Sequence, residues 1–297
     1  MSRFFAGVPV AIPLVLVLAS TAHAHGIVGD RFFPATITTD DPFAADELAL
    51  PTVNILRHKD DDGDAVNERD YTFEYSKTIW PKFAISFAGG YVDSNPAGGR
   101  HTTGWTNFEI TPTWQFMSDA PGEFVASAAI GFEIGGSGAH SIADGFTTTT
   151  PTLLVGKGFG DLPDSMALLR PLALTATVGY AIPGRAAEPR SLQWGGALEY
   201  SLLYLQDNVR NQGFGSIVTH LTPLVEFSLS SPQDGGTTGT VNPGLLWSGQ
   251  YTQIGAEMVI PVNRATGGNI GAIMQLHFYV DDIFPHSLGS PLFGSRR

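Results

Sequence analysis

Acidic side chains are the residues of this chain whose type and spacing could do chemistry. In extended segments whose apolar residues occupy every second position, seven acids occupy the positions in between, which we call the polar parity: Glu74, Glu109, Glu133, Glu199, Glu226, Glu257 and Asp281. No lysine or arginine shares this parity with them. Carboxylates without basic partners predict either a hydrated space that attracts cations or acids with raised pKa values. Hydration is the interpretation we favour, and the alternative is a set of scattered, solvated residues without a transport role.

Histidine and serine could support catalysis, but their arrangement argues against it. Seven histidines follow the N-terminal leader, mostly in predicted loops or at strand ends: His25, His58, His101, His140, His220, His277 and His286. A lipase-like site needs a serine near a histidine and an acidic partner, and the chain lacks the G-x-S-x-G arrangement. His277, between Gln275 and Tyr279 on the polar parity, is the one candidate for an interior site. A histidine in such a position more often completes a network of polar side chains than it catalyses a reaction, so we expect no enzyme activity.

Two stretches could bind metal. The first, Asp60-x-Asp62-Gly63-Asp64, is similar to a calcium loop, but its glycine is misplaced and the twelfth position is Tyr71, so a solvated acidic loop is expected. The second is His25, whose free amine and ring nitrogen could chelate copper if a leader is removed after Ala24. A further histidine would have to complete that site, and an ordinary flexible terminus is the alternative. No cofactor is predicted.

Composition restricts the possible partners and the cellular compartment. The chain has 16 lysine and arginine residues against 28 aspartate and glutamate residues, so nucleic acid is excluded as a partner. Glycine and proline are frequent, with 35 and 20 residues, which is typical of many strands joined by turns. The chain contains no cysteine, so stability must come from a closed hydrogen-bond network rather than from disulfides.

Residues 1–24 have the pattern of a signal peptide. Arg3 supplies a basic start, residues 8–20 form an apolar core, and Ala22-His23-Ala24 is a small-x-small cleavage site. That core is shorter than the roughly 20 apolar residues that a membrane-spanning helix needs. We therefore expect export through the inner membrane and a mature chain that begins near His25.

The elements that must position the carboxylates are runs in which apolar residues recur at every second position. The clearest is the run from Asn269 to Ile283, where Ile270, Ala272, Met274, Leu276, Phe278 and Val280 alternate with small or polar residues. Similar runs occupy residues 50–58, 71–79, 83–91, 108–116, 124–134, 146–159, 172–182, 192–204, 221–229, 241–247 and 254–260. Behind a secretory leader, they predict an all-β fold, a closed antiparallel transmembrane β-barrel of about 12 strands with short turns over residues 50–284. A soluble sandwich is the alternative.

Two segments flank the predicted barrel. Residues 25–49 contain prolines and acidic residues without clean alternation, together with Phe32, Phe33 and Phe43, which are poorly suited to free solution. We expect this mostly irregular segment either to lie in the periplasm or to enter the barrel and restrict its lumen. Residues 285–297 form a C-terminal extension.

Two neighbouring stretches carry a family resemblance. Glu74-Tyr75-Ser76-Lys77-Thr78-Ile79, followed by Phe83-Ala84-Ile85-Ser86-Phe87, resembles the meta-pathway phenol-degradation family of exported outer-membrane barrels, over residues 50–283. The resemblance implies movement of small molecules across the outer membrane of a Gram-negative bacterium. The closing strand is similar to the signal read by the barrel-assembly machinery, but residues 284–297 follow it where a terminal aromatic residue is expected.

The sequence thus predicts a passive outer-membrane pore or transporter for small solutes, with a preference for cations. Its lumen would be lined by the acidic residues of the shared parity and by Gln275, His277 and Tyr279. Expected partners are outer-membrane lipids, lipopolysaccharide, the barrel-assembly machinery and a solute that the sequence does not identify. A non-conducting structural barrel, an outer-membrane hydrolase and a copper-binding protein are the alternatives.

Overall fold

The computed structural model describes residues 26–59, 65–97 and 99–294, so the predicted signal peptide, His25 and the acidic stretch from Asp60 to Asp64 lie outside the described residues. The strands are Ile27–Val28 (β1), Arg31–Phe32 (β2), Glu47–Lys59 (β3), Ala65–Trp80 (β4), Phe83–Pro96 (β5), Thr102–Trp105 (β6), Glu109–Asp119 (β7), Phe124–Glu133 (β8), Thr148–Gly158 (β9), Leu172–Pro183 (β10), Ser191–Tyr200 (β11), Leu221–Pro232 (β12), Thr238–Ser248 (β13), Thr252–Pro261 (β14) and Gly271–Tyr279 (β15). Short helical turns occupy Asp164–Leu169, Leu202–Tyr204, Leu205–Val209, Ser216–Thr219 and Val280–Ile283.

Strands β3 to β15 form one closed antiparallel sheet. Each strand pairs with its neighbour in the chain, and the last strand, β15, pairs with the first, β3, which closes the ring. Strands β6 and β7 both pair with β5 and act as one interrupted strand. The barrel therefore has twelve strands, and the predicted fold is confirmed.

The barrel has an apolar outer surface and a more polar interior. On β10, Leu174 and Val178 point outward and are 38% and 45% exposed, whereas Ala173 and Thr175 point inward and are each 1% exposed. This alternation is typical of barrels that lie in lipid, because the outward side chains then contact acyl chains. No helix in the described part of the chain is long and apolar enough to cross a bilayer.

Several strand boundaries differ from those expected from sequence; for example, β4 begins at Ala65 instead of Tyr71 and β5 ends at Pro96 instead of Tyr91. The last strand ends at Tyr279, because Val280–Ile283 form a helical turn that takes Asp281 off the strand. Strand β11 ends at Tyr200, because the Ser201 hydroxyl accepts a hydrogen bond from the Tyr204 N–H and starts a helix. The first barrel strand begins at Glu47 instead of Leu50, and its register shifts between Ala49 and Thr52, around a proline that cannot donate to the ladder.

Residues 26–46 lie inside the barrel, and we call them the plug. We call the end of the barrel where β3 begins the near end, and the opposite end the far end. Val28 and Phe33 of the plug pack with Val125 and Ala173 of the inner wall in a small apolar core. The plug thus fills the near half of the interior with buried side chains, and its chain continues directly into β3.

The C-terminal residues lie outside the near end. The pairing of β3 with β4 reaches only Ser76, so the last residues of β4 lack a neighbour on that side. The N–H groups of Leu292 and Phe293 donate to the carbonyls of Thr78 and Ile79, at 3.2 and 2.9 Å, and cover this edge. Lys77 Nζ lies 2.6 Å from Asp46 Oδ1 and 2.9 Å from the Leu288 carbonyl, so one side chain joins both ends of the chain.

Candidate functional site: the lumen and its plug

The tip of the plug is held by one glutamate of the barrel wall. Glu226 on β12 points inward and is fully buried. Its carboxylate accepts hydrogen bonds from the backbone N–H groups of Ile37, Thr38 and Thr39, at 2.7, 2.8 and 3.0 Å. The hydroxyls of both threonines donate to the same carboxylate, at 2.7 and 3.2 Å. Consecutive N–H groups that converge in this way form an anion-binding concavity, so the plug tip is a receptor for a carboxylate.

Polar side chains from other strands fix the rest of the plug. Gln253 Nε2 on β14 donates to the Ala35 carbonyl at 2.6 Å, and Asn242 Nδ2 on β13 donates to Thr38 Oγ1 at 3.1 Å. On the opposite wall, the Ser127 hydroxyl donates to the Pro42 carbonyl, and the Ser76 hydroxyl donates to the Ala45 carbonyl. These hydrogen bonds come from strands on several sides of the ring, so the plug spans the width of the lumen.

At the near end the plug is bound by three side chains that we call the latch: Arg31, Glu123 and Tyr204. Arg31 is fully buried; its Nε lies 3.2 Å from Glu123 Oε2, and its guanidinium lies 3.7 Å from the centre of the Tyr204 ring. Arg31 also donates to the carbonyls of Arg170 and Pro171. A guanidinium with this many partners is oriented rigidly, so the latch fixes the start of the plug.

The phenol of Tyr204 completes the latch. Its hydroxyl donates to Glu123 Oε1 at 2.9 Å, while Glu123 Oε2 accepts from the Gly160 N–H at 3.1 Å. Burial and the hydrogen bond to Glu123 raise the pKa of Tyr204 to about 12, so the phenol keeps its proton at every physiological pH. Glycine is required at 158 and 160, because a Cβ at either position would overlap latch atoms.

Five of the seven predicted lumen carboxylates fall into two groups. Glu199, Glu226 and Glu257 point inward but are 2%, 0% and 4% exposed, because the plug covers them; we call them the covered group. Glu74 and Glu109 also point inward, yet their side chains are exposed inside the ring, as is Asp40 of the plug. We call Asp40, Glu74 and Glu109 the water-facing group.

The remaining predicted lumen residues have different surroundings. Glu133 lies at the far end of β8, where its Oε1 accepts from Asn107 Nδ2 at 3.1 Å. Gln275 Nε2 donates to Thr52 Oγ1 at 3.1 Å, and His277 Nε2 lies 2.9 Å from Glu47 Oε2. Tyr279 is buried, and its hydroxyl donates to Gln253 Oε1 at 2.9 Å. Asp281 is buried beyond the end of the strand, where its N–H donates to the Asp46 carbonyl.

Two of the cavities lined by the described residues lie between the plug and the wall. The first, of about 220 Å³, lies between the plug and the wall formed by β3 to β5, β7 to β9 and β15, and it contains the water-facing group; we call it the acidic chamber. The second, of about 450 Å³, lies between the plug tip and β9 to β13. Its wall is neutral and polar, with five hydroxyl groups and one amide: Thr152, Thr177, Ser228, Ser230, Thr240 and Gln193. Within the described residues, no cluster of three or more histidines or acids has the geometry of a metal site.

Sequence reasoning missed the latch. Arg31 is the only lysine or arginine in residues 26–49, and this was a signal that it has a specific partner. Glu123 gave no such signal, because it lies in the turn between β7 and β8 with a φ of 45°. The sequence pattern places Asp40 and Asp41 in an irregular segment and gives no sign that they face the acids of the wall.

Comparisons with solved structures show the fold. The chain is similar to the COG4313 outer membrane channel from Pseudomonas putida F1, with a TM-score of 0.50 and 10% identity over 84% of this chain and 99% of that chain. A KdgM porin gives a TM-score of 0.44 and 10% identity over 76% and 98% of the two chains. The sequence matches no protein-family model and no curated protein. At this identity the likeness to the channel agrees with the barrel fold described above, and membership of the meta-pathway phenol-degradation family stays a prediction.

Proposed function

We propose that this chain is an outer-membrane barrel that forms a passive, cation-preferring pore for small solutes, and that the plug restricts the pore. One observation carries the proposal: acidic side chains inside a closed ring are exposed to water. Glu74 and Glu109 on the wall and Asp40 on the plug are all exposed, although each lies inside the barrel. A lumen that served only as a packed core would bury such groups.

The outward face supports a location in the outer membrane. Large apolar side chains such as Leu153, Trp114 and Ile254 are more than half exposed, and water is a poor solvent for such a surface. A predicted signal peptide over residues 1–24 agrees with export, and the similar solved barrel is described as an outer membrane channel. Outer-membrane lipids, lipopolysaccharide and the barrel-assembly machinery are the partners that this location implies.

A second function, a non-conducting structural barrel, is favoured by the plug itself. The covered group and the latch hold the plug with many hydrogen bonds, and Arg31 is fully buried. The plug, however, is held by polar contacts and by a small apolar core, and polar contacts exchange readily with water. Displacement of the plug is therefore compatible with an intact barrel. No catalytic role is proposed.

The test compares the mature chain with a variant that lacks residues 26–40. We expect the deletion to raise single-channel conductance in planar bilayers several-fold, because it removes the segment that spans the lumen. Liposomes that contain the variant should swell faster in small neutral solutes. Circular dichroism of both proteins checks that the strand content is unchanged.

Two results would contradict the proposal. If neither folded protein conducts, the barrel is a structural one and the pore function is wrong. If the mature chain conducts and the deletion leaves the conductance unchanged, the plug does not restrict the pore. A reversal potential that indicates anion preference would remove the cation preference alone.

A further inference from the structure

The acidic chamber places carboxylates on two facing surfaces. Asp40 and Asp41 belong to the plug, while Glu47, Glu74 and Glu109 belong to the wall, on β3, β4 and β7. All five line one cavity of about 220 Å³. Like charges that face each other across a cavity repel, so the seated plug needs positive charge or protons at this place.

The protein supplies little positive charge to the chamber. Among the described residues that line it, none is lysine or arginine. The nearest base is His277, whose Nε2 lies 2.9 Å from Glu47 Oε2, so one histidine faces five acids. Arg31 of the plug pairs with Glu123 of the wall, and Lys77 of the wall pairs with Asp46 of the plug, so both bases are engaged outside the chamber. Within the described residues, the five acids of the chamber therefore face one base, and a cation that enters the chamber would balance their charge.

A separate observation points to a ligand. Gln275 lines the chamber and is 8% exposed. Its Nε2 donates to Thr52, but its Oε1 has no hydrogen-bond partner in the part of the chain that the structure describes. A buried amide oxygen normally accepts a hydrogen bond, and an unsatisfied one costs stability. A molecule in the chamber that carries N–H donors would satisfy it.

The geometry favours an organic cation over a bare metal ion. The acids are spread over the plug and three strands, and no three of the described acids and histidines converge closely enough to coordinate a metal. An ammonium group makes fewer demands, because each of its three N–H groups donates to whichever oxygen is near. At ~30 Å³ per water, the chamber holds about seven waters, a space suited to a molecule of roughly six to eight non-hydrogen atoms.

We propose that the acidic chamber is a binding site for a small organic cation that carries one or two primary ammonium groups. The cation bridges the acids of the plug and those of the wall, and Gln275 Oε1 accepts one of its hydrogen bonds. Binding at this position is a step in the cation transport proposed above. It also stabilises the seated plug, because the cation contacts both surfaces.

Calorimetric titration of the full mature chain in detergent micelles, with 1,4-diaminobutane as the probe, tests the site. Calorimetry detects binding whether or not the barrel conducts ions. Failure of the binding site and failure of the proposed pore function are therefore distinguishable. We expect saturable binding of one diamine per chain at low salt. Replacing Glu74 and Glu109 together by glutamine should weaken it about tenfold or more, because two charge-assisted hydrogen bonds are lost.

The matched control removes two carboxylates from far-end loops. Glu188→Gln with Asp234→Asn changes the net charge equally, and both residues lie outside the chamber. This variant should bind the diamine like the wild type, whereas 1,4-butanediol, a neutral probe of the same length, should not bind. Equal loss in both double variants, or binding of the diol, would overturn the proposal. Tight binding of magnesium chloride without binding of the diamine would show a metal site instead.

Discussion

The covered and water-facing carboxylates differ although they occupy equivalent positions. Glu199, Glu226 and Glu257 point into the barrel from β11, β12 and β14, and Glu74 and Glu109 point into it from β4 and β7 on the other side of the ring. The first group is at most 4% exposed, whereas the second is exposed to the lumen. The plug makes the difference, because it lies against β12 to β14 and leaves a cavity beside β4 and β7.

The contrast between the two groups shows that the direction of a side chain and its access to water are separate properties, which strand alternation alone does not distinguish. Parity decides whether a side chain points inward, but a second segment decides whether water reaches it. A count of inward acids therefore overstates the number of acids that are exposed inside the barrel. In the pore proposed above, only the water-facing group and its neighbours in the acidic chamber are placed to act on a permeating ion.

The largest expected effect is that of Arg31→Ala, which should remove the difference in exposure between the covered and the water-facing groups. The change leaves Glu123 buried without its charged partner, which costs about 3–5 kcal/mol. The plug should leave its seat, and the covered group should then meet water. Hydrogen exchange of a peptide from residues 32–45, followed by mass spectrometry, should show loss of protection.

Arg185→Ala is the matched control for this change. Arg185 lies in a far-end loop, is exposed, and is 3.8 Å from Glu188. Because exposed ion pairs contribute little, exchange in the plug should stay as in the wild type. Full protection of the plug in the Arg31 variant would show that the latch is dispensable.

A second effect should follow from Glu226→Gln, which keeps the size of the side chain. The amide group carries an NH₂ where the plug tip presents N–H donors, so several hydrogen bonds are lost or become repulsive. We expect exchange of residues 36–41 to accelerate about ten- to a hundredfold, from a loss of about 1.5–3 kcal/mol. Glu74→Gln, in the water-facing group, should not accelerate that exchange, because it relieves the repulsion between Glu74 and Asp40 across the acidic chamber. Equal exchange in the two variants would contradict the division into groups.

Ion selectivity should separate the groups more finely. Glu74→Gln with Glu109→Gln should roughly halve the reversal potential in a salt gradient, because both charges face the permeation path. Glu199→Gln with Glu257→Gln removes the same number of acids from under the plug and should change it little. The difference should fade near molar salt, where the screening length is about 3 Å. A larger shift from the covered pair would place the path on the other side of the plug.

The smallest expected effect is that of Tyr204→Phe. It removes one hydrogen bond to Glu123 but keeps the ring that lies against Arg31. A loss of about 1 kcal/mol should raise the rate of trypsin cleavage after Arg31 several-fold, since cleavage follows the population of the undocked plug. Tyr180→Phe, at the far end of β10, is the control. An unchanged rate would show that the phenol adds nothing to the latch.

The barrel could be predicted from sequence because its signal repeats. Twelve segments with the same alternation each support the others, and errors occur only at their ends. Leu202 and Tyr204 continue the alternation of β11, but the Ser201 cap diverts the chain into a helix. The alternation of apolar and polar residues carries no information about such a local hydrogen bond, so the end of β11 could not be predicted from it.

The plug could be predicted only as one of two possibilities. Its contacts join residues far apart in the chain, such as Arg31 with Glu123 and Thr38 with Glu226, and no local pattern encodes such pairs. One signal was present: glycines occupy inward positions where the plug approaches the wall. A Cβ at Gly195 or Gly255 would crowd Thr39 or Ile37.

The direct continuation of the plug into β3 has a kinetic consequence. Because Asp46 is bound by Lys77 and is followed at once by Glu47 of the wall, a displaced plug stays tethered at the mouth of the barrel. A short tether gives an effective local concentration of about millimolar. Reclosure is then a unimolecular event whose rate does not depend on how many barrels the membrane holds. A separate peptide with the sequence of residues 26–46 would need to reach a similar concentration to compete.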